Sequence, residues 1–219
     1  RKDQITEVSK LMDECKSMNI ATLGPDVNES YEKFGVNHHG EIRFGLAAIK
    51  GMGNAAAKAI IDEREAHGAY KDIFDFVQRV DFTNVNRKAF ESLALSGGFD
   101  SFGLPRESYF TANAKGELFV ETLVRYGQLY QTKKSELEHS LFGGENAVEI
   151  ATPAIPKPEL WSNIERLNKE HELVGIYLSA HPLDEYSIVL KTMCNTQCCE
   201  LADRAELSKK SNIVFGGMI

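Results

Sequence analysis

The sequence predicts a mainly helical fold with one small β-hairpin and a strand opening at its C-terminal end. Three observations carry this. Apolar residues recur at helical spacing in most segments, with Ile5, Val8, Leu11, Met12, Cys15 and Met18 as the first such face. Helix punctuation is dense, with Asp72, Pro105 and Gly68 standing where a cap, a first turn and a stop belong. Strand-like patterning is confined to residues 36–44 and 213–219.

In chain order, residues 3–19 form the first helix, and Gly24-Pro25-Asp26-Val27-Asn28 is turn chemistry. Residues 36–44 make a hairpin whose loop is Asn37-His38-His39-Gly40. A short helix follows at 46–50, then a longer one from Asn54 to about His67, stopped by Gly68. Asp72 caps a helix carrying Ile73, Phe76, Val77 and Val80. Residues 86–95 form another, ended by Ser96-Gly97-Gly98, and Pro105 opens a helix that runs, with a break at Gly116, to Glu138. Gly143-Gly144, Pro153, Pro156 and Pro158 mark 143–158 as a linker. Helix resumes over 159–178, where Trp161 packs it onto the domain; His181-Pro182 interrupts it, and a short helix covers 183–190.

The bulk composition narrows the function classes. At 219 residues, 42% hydrophobic and 26% charged, the chain reads as an ordinary globular protein. No apolar run reaches the length of a membrane span, and no leader is legible. Arg1 at the start and an apparent strand at Ile219 make it read as a piece of something larger. A net charge of -7 argues against a grip on nucleic acid by bulk positive charge, though not against a small local site. Cys15, Cys194, Cys198 and Cys199 are too few and too clustered for a secreted disulfide framework, so a reducing cytoplasm is expected. The C-x₃-C-C run lacks a second ligand pair, and packed thiols are expected rather than zinc. No phosphate-binding GxxxxGK[ST] loop and no serine elbow occur.

The stretch from Ile49 to Ile60 reads IKGMGNAAAKAI. Two readings are open: a turn between helices, where glycine supplies a left-handed residue cheaply, or a cradle for a phosphate. Leu46 and Ile49 precede the glycines on one face, Ala57 and Ile60 follow on the facing side, and small residues at 55, 56, 57 and 59 permit close approach. In that geometry the amides of Gly51, Gly53 and the next helix start point outward together, backed by the positive end of the helix dipole. Such a nest binds a phosphate oxygen without reading a base. The candidate contacts are Lys50, Gly51, Met52, Gly53, Asn54 and Lys58. Between residues 41 and 88 there are eight Lys/Arg against seven Asp/Glu, so no basic block does this work instead. The pattern resembles the helix-hairpin-helix motif. A weaker second copy follows, with helix 86–95, hairpin 96–103 and a helix from Pro105; it adds Gly97, Gly98 and Ser101 as candidate contacts. Paired hairpins about a groove width apart can straddle a duplex. The second copy equally fits a packing partner with a degenerate hairpin.

Longer strings carry a more specific resemblance. These are Gly24-Pro25-Asp26-Val27-Asn28-Glu29-Ser30, the run from Ile42 to Gly53 (IRFGLAAIKGMG), Asp75-Phe76 with Arg79-Val80-Asp81, Gly98-Phe99-Asp100-Ser101-Phe102-Gly103, and the run from Glu172 to Leu183 (ELVGIYLSAHPL). In this order, over nearly the whole chain, they resemble the bacterial C-family replicative DNA polymerases, the polymerase III alpha subunits. The resemblance implies that residues 1–40 end the fingers region. Residues 41–158 would form a tandem helix-hairpin-helix domain with linker, binding DNA and clamp. A helical connector would follow at 159–205, and residues 206–219 would be the truncated start of an OB-fold. It implies double-stranded DNA, the beta sliding clamp, and the rest of the alpha chain and holoenzyme as partners, in a bacterial cytoplasm and with no membrane. The parent it implies is a DNA-directed DNA polymerase, expected to use Mg2+ held by palm carboxylates. By the family's order those lie upstream, so this chain is expected to hold no catalytic residue, metal or cofactor of its own, and to be inactive alone.

The resemblance also implies a clamp-binding peptide after the hairpin domain: a glutamine, two variable residues, an aliphatic and a phenylalanine. Glu138, Ser140, Leu141 and Phe142 stand there, with Glu138 replacing the usual glutamine and lacking its amide donor. An apolar pair on a Gly/Pro-rich tether suits insertion into a partner's pocket, and equally suits folding back onto the helices. Two rivals remain at this point. One is a helix-hairpin-helix DNA glycosylase, with Asp72 or Asp75 at about the right distance for its catalytic aspartate. The other is a packing domain without DNA contact.

Overall fold

The computed structural model describes residues 2–138, 150–196, 200–201, 207–208 and 210–217. The chain divides into two compact units, Arg1–Ser179 and Ala180–Ile219. In the first, α1 (Lys2–Ser17) leads to β1 (Thr22–Leu23), β2 (Gly35–Val36) and β3 (Ile42–Arg43), and then to helices α2 (Asn54–His67), α3 (Ile73–Arg79), α4 (Arg87–Ser96), α5 (Phe119–Glu138) and α6 (Asn163–Val174). The second holds α7 (Ser187–Met193), preceded by a 3-10 turn, Asp184–Tyr186. The fold is thus mainly helical, with a small sheet, as the sequence predicts.

Side-chain caps fix the starts of α3, α4 and α6. The Asp72 carboxylate accepts from the Asp75 N–H at 2.8 Å, and the Asn86 side chain accepts from the Ala89 N–H at 3.0 Å. Each satisfies an amide that the first helical turn leaves without a partner. Removing the α3 cap with Asp72→Ala is therefore expected to cost about 1 kcal/mol, read as a lower urea midpoint with an unchanged slope.

The sheet has the order β1-β3-β2. β2 and β3 form the expected hairpin, with Val36 opposite Ile42, and the Asn37 side chain accepts from the N–H groups of His39 and Glu41 across the loop. β1 lies parallel to β3, Thr22 opposite Ile42, and had no sequence signal because two residues show no alternation. The turn at residues 24–30 is stitched to the helices. Val27 is fully buried and its N–H donates to the Gly98 carbonyl. Asn28 and Tyr70 exchange two hydrogen bonds, and the Arg64 guanidinium donates to the carbonyls of Val27 and Ser30. Residues 1–40 therefore share one compact unit with the hairpin region. Its core is aromatic at the centre, where the rings of Phe76, Phe90 and Phe99 contact one another and Tyr109 packs on Phe99.

Four element assignments differ from expectation. The helix at 46–50 is a 3-10 turn, Leu46–Ala48. The helix from Pro105 is a five-residue 3-10 segment, Arg106–Phe110, followed by a turn; the Asn113 side chain accepts from the N–H groups of Lys115 and Glu117 there and draws the backbone out of helix before α5 begins. α6 starts at Asn163 rather than 159 because Ser162 and Glu165 form a reciprocal capping box, and it ends at Gly175. Residues 213–217, expected as the opening strand of the OB-fold, form no ladder among the described residues. The Val214 carbonyl instead accepts from the N–H groups of Asn195 and Thr196, and its own N–H donates to the Asn195 side chain.

Candidate nucleic-acid interface

The hairpin between Ile49 and Asn54 is built by buried apolar groups beneath and polar backbone above. Leu46, Ile49, Ala57 and Ile60 are buried together, and Met52 plugs the turn between the glycines. The Met52 N–H closes the turn onto the Ile49 carbonyl at 3.1 Å, and the Lys50 N–H donates to the Leu173 carbonyl at the end of α6, at 2.9 Å. Gly51 has φ +92, a conformation side chains resist, and a Cβ there would come within 2.6 Å of Ser92 Oγ. Gly53 is the N-cap of α2 in ordinary extended conformation, and a Cβ there would meet nothing within 4 Å.

This helix start differs from its neighbours. Gly53 supplies no side-chain acceptor, and the first turn of α2 has no acidic residue. Among the described residues, no acceptor takes the N–H groups of Gly51, Gly53, Asn54, Ala55 or Ala56. Gly51, Gly53, Asn54 and Ala55 are all exposed. An exposed set of unpaired amides at the positive end of a helix dipole favours an anion. Lys50 and Lys58 are exposed beside it; Lys50 stands 3.9 Å from Glu172, an exposed pair that contributes little. Of the six residues expected at this site, five face solvent together. Met52 turns inward and can offer only support.

The second hairpin is arranged differently. Gly97 and Gly98, expected as DNA contacts, are buried, and both of their N–H groups donate to the Leu93 carbonyl. Gly97 takes the left-handed conformation that ends α4, packed directly against the Arg106 guanidinium. Arg106 holds Asp100 through Nη2 at 2.6 Å and Glu170 through Nη1 at 2.9 Å. Neither glycine amide is left for a phosphate, and the Asp100 carboxylate brings the wrong charge. Of this set only Ser101 is exposed. Asp100, three residues after the first glycine, is the sequence signal that could have revealed this.

Glu170, 1% exposed, also accepts from the N–H groups of Leu178 and Ser179, at 2.9 Å each, and from the Ser179 hydroxyl. Burial works against its ionisation, but the Ser179 and Arg106 hydrogen bonds outweigh it and hold the carboxyl below the usual range. The aspartates that suit a glycosylase have structural partners. Asp72 caps α3, while Asp75 accepts from the Lys71 N–H and pairs with Arg79 at 2.9 Å. Glu138 is the last residue of α5; Ser140, Leu141 and Phe142 lie outside the described residues, as do Cys198 and Cys199. Cys15 and Cys194 are free thiols. No helix among the described residues is long and apolar enough to cross a membrane.

A glycine hairpin joining two closely packed helical segments, with an uncapped helix start behind it, defines a helix-hairpin-helix protein, and the family model for the helix-hairpin-helix motif matches residues 19–109. Beyond that class, the chain is 32% identical over 99% of its length to the DNA polymerase III subunit alpha of Vibrio cholerae, and 33% identical over 99% to that of Pasteurella multocida. The Chlamydia trachomatis subunit alpha is 35% identical over 83% of the chain. The chain accordingly belongs to the DNA polymerase III alpha subunit family, as the counterpart of one segment of it. It spans 18% of the length of the Vibrio and Pasteurella relatives and 14% of the Chlamydia one.

Proposed function

We propose that this chain is the part of a replicative DNA polymerase that holds duplex DNA by its backbone, in support of template-directed synthesis carried out elsewhere in the parent. The observation that carries the reading is the set of amides at Gly51, Gly53, Asn54 and Ala55, exposed and, among the described residues, without an acceptor. The amides make a sequence-independent contact with a phosphate, with Lys50 and Lys58 adding charge at its edge. The amides of this hairpin make that contact; the glycine amides of the second are already bonded to the Leu93 carbonyl. With the palm carboxylates elsewhere in the parent, the chain alone performs no nucleotidyl transfer. Filter retention of a random-sequence duplex at low salt tests the reading. Retention is expected, declining as salt rises with a slope set by the few phosphates neutralised. No retention at the lowest salt would remove the DNA-holding role.

The second half of the proposal is clamp docking by residues 138–142, in a parent located in the bacterial cytoplasm. Leu141 and Phe142 supply two apolar anchors next to Gly143-Gly144, and buried anchors of this kind dominate peptide affinity. Leu141→Ala/Phe142→Ala is expected to weaken binding to the beta sliding clamp by about 100-fold, roughly 2.7 kcal/mol. Surface plasmon resonance with immobilised clamp reads this directly, and unchanged affinity would exclude the segment as the hook.

A further inference from the structure

We infer that α4, the first helix of the second hairpin, completes the phosphate site of the first hairpin through Ser92 and Lys88. This deepens the DNA-holding reading and rests on it. Ser92 is 4% exposed. Its hydroxyl lies against Gly51, at 2.6 Å from the position a Cβ would take, and it makes no hydrogen bond to any described residue. A serine in a helix usually turns its hydroxyl back to the carbonyl four residues earlier. Thr122 and Thr132 bond back to carbonyls four residues earlier, and Ser96 to one three residues earlier. Ser92 keeps its donor unused beside Gly51, at the edge of the anion site.

Lys88 stands one helical turn earlier on the same face of α4. Its side-chain stem also packs at Gly51, with Cε 3.6 Å from the same Cβ position. Lys88 is exposed and forms no ion pair among the described residues. Two features of the hairpin thereby acquire one cause. Gly51 has no side chain because α4 must approach its backbone, and that approach brings a neutral donor and a cation to the same amide cluster. The ligand of matching chemistry is a phosphodiester oxygen of duplex DNA, bound by amides, a hydroxyl and an ammonium together.

The test uses the full chain with a random-sequence duplex at several salt concentrations, and each variant's melting temperature is recorded. Lys88→Gln is expected to reduce the slope of log affinity against log salt by about 1. Ser92→Ala is expected to weaken binding about three- to tenfold, with the native slope retained. Lys88 is exposed, so its variant reports even if Ser92→Ala loosens the core. If both variants bind with native affinity and slope while Gly53→Asp does not, the α4 contribution is overturned and the hairpin reading stands. If Gly53→Asp also binds natively, the hairpin reading itself falls. Millimolar inorganic phosphate at matched ionic strength should leave the duplex bound. Displacement that Lys88→Gln abolishes would make this a free-phosphate site and overturn the assignment to DNA.

Discussion

Replacing Gly53 by aspartate should leave the protein at least as stable as before while weakening its hold on duplex DNA. Gly53 occupies the N-cap of α2 with φ -93 and ψ 160, the extended conformation in which aspartate caps well, and a Cβ there meets nothing. The new carboxylate accepts from the free amides of the first turn and opposes the helix dipole. The expected gain is a few tenths of a kcal/mol from capping, plus about 0.3–1 kcal/mol from the dipole. The same carboxylate occupies the anion site and repels a phosphate, so duplex affinity should fall about tenfold or more, about 1.4 kcal/mol. Gly53→Asn caps without charge and should lose less. Calorimetry and fluorescence anisotropy on the three proteins check both signs. Opposite movement of stability and affinity cannot come from a misfolded variant. Parallel losses would show instead that Gly53 serves only the turn.

The second large effect belongs to Arg106. Arg106→Met removes the cation paired with the buried Glu170 carboxylate, leaving it, among the described residues, the Ser179 and Leu178 donors. Breaking a buried pair from one side costs about 3–5 kcal/mol, against total stabilities of about 5–15 kcal/mol for domains of this kind. Arg106→Met/Glu170→Gln should recover part of the loss, since no uncompensated charge then remains. The pH dependence has a definite sign. Because the folded-state pKa of Glu170 is depressed, its contribution is complete above the ordinary carboxylate range and is lost as pH falls through the lower folded value. In Arg106→Met that loss should begin at higher pH. Urea unfolding across the acid range measures both quantities. A cost under about 1 kcal/mol would mean that solvent reaches Glu170 and screens it.

Local chemistry made much of this fold legible. Asp72, Asn86 and Gly68 are capping and stopping residues whose effect reaches one turn, so a string of neighbours is enough to place them. The first hairpin was legible for the same reason, since Gly51, Gly53 and the alanines after them lie within ten residues. What escaped was tertiary. The capping box at Ser162 competed with an equally plausible earlier start for α6. The glycine pair at 97–98 reads like the pair at 51 and 53, yet its amides turn inward and its pocket is filled by Arg106, whose partner Glu170 stands 64 residues away. Ser92 has no local mark of its role, because only the packing of α4 on Gly51 gives it one.

α6 and its exit segment touch both hairpins, through Leu173 at Lys50 and through Glu170 at Arg106. The consequence is kinetic. Each hairpin is assembled from neighbours, and its helices can form early and independently. Neither reaches its final geometry until a helix far downstream has closed a long loop onto it, an entropic cost that grows only with the logarithm of loop length but must be met before the contacts reward it. Opening of that one helix in the native state would unlatch both hairpins in a single event, and their amides would exchange with solvent deuterium as one cooperative group.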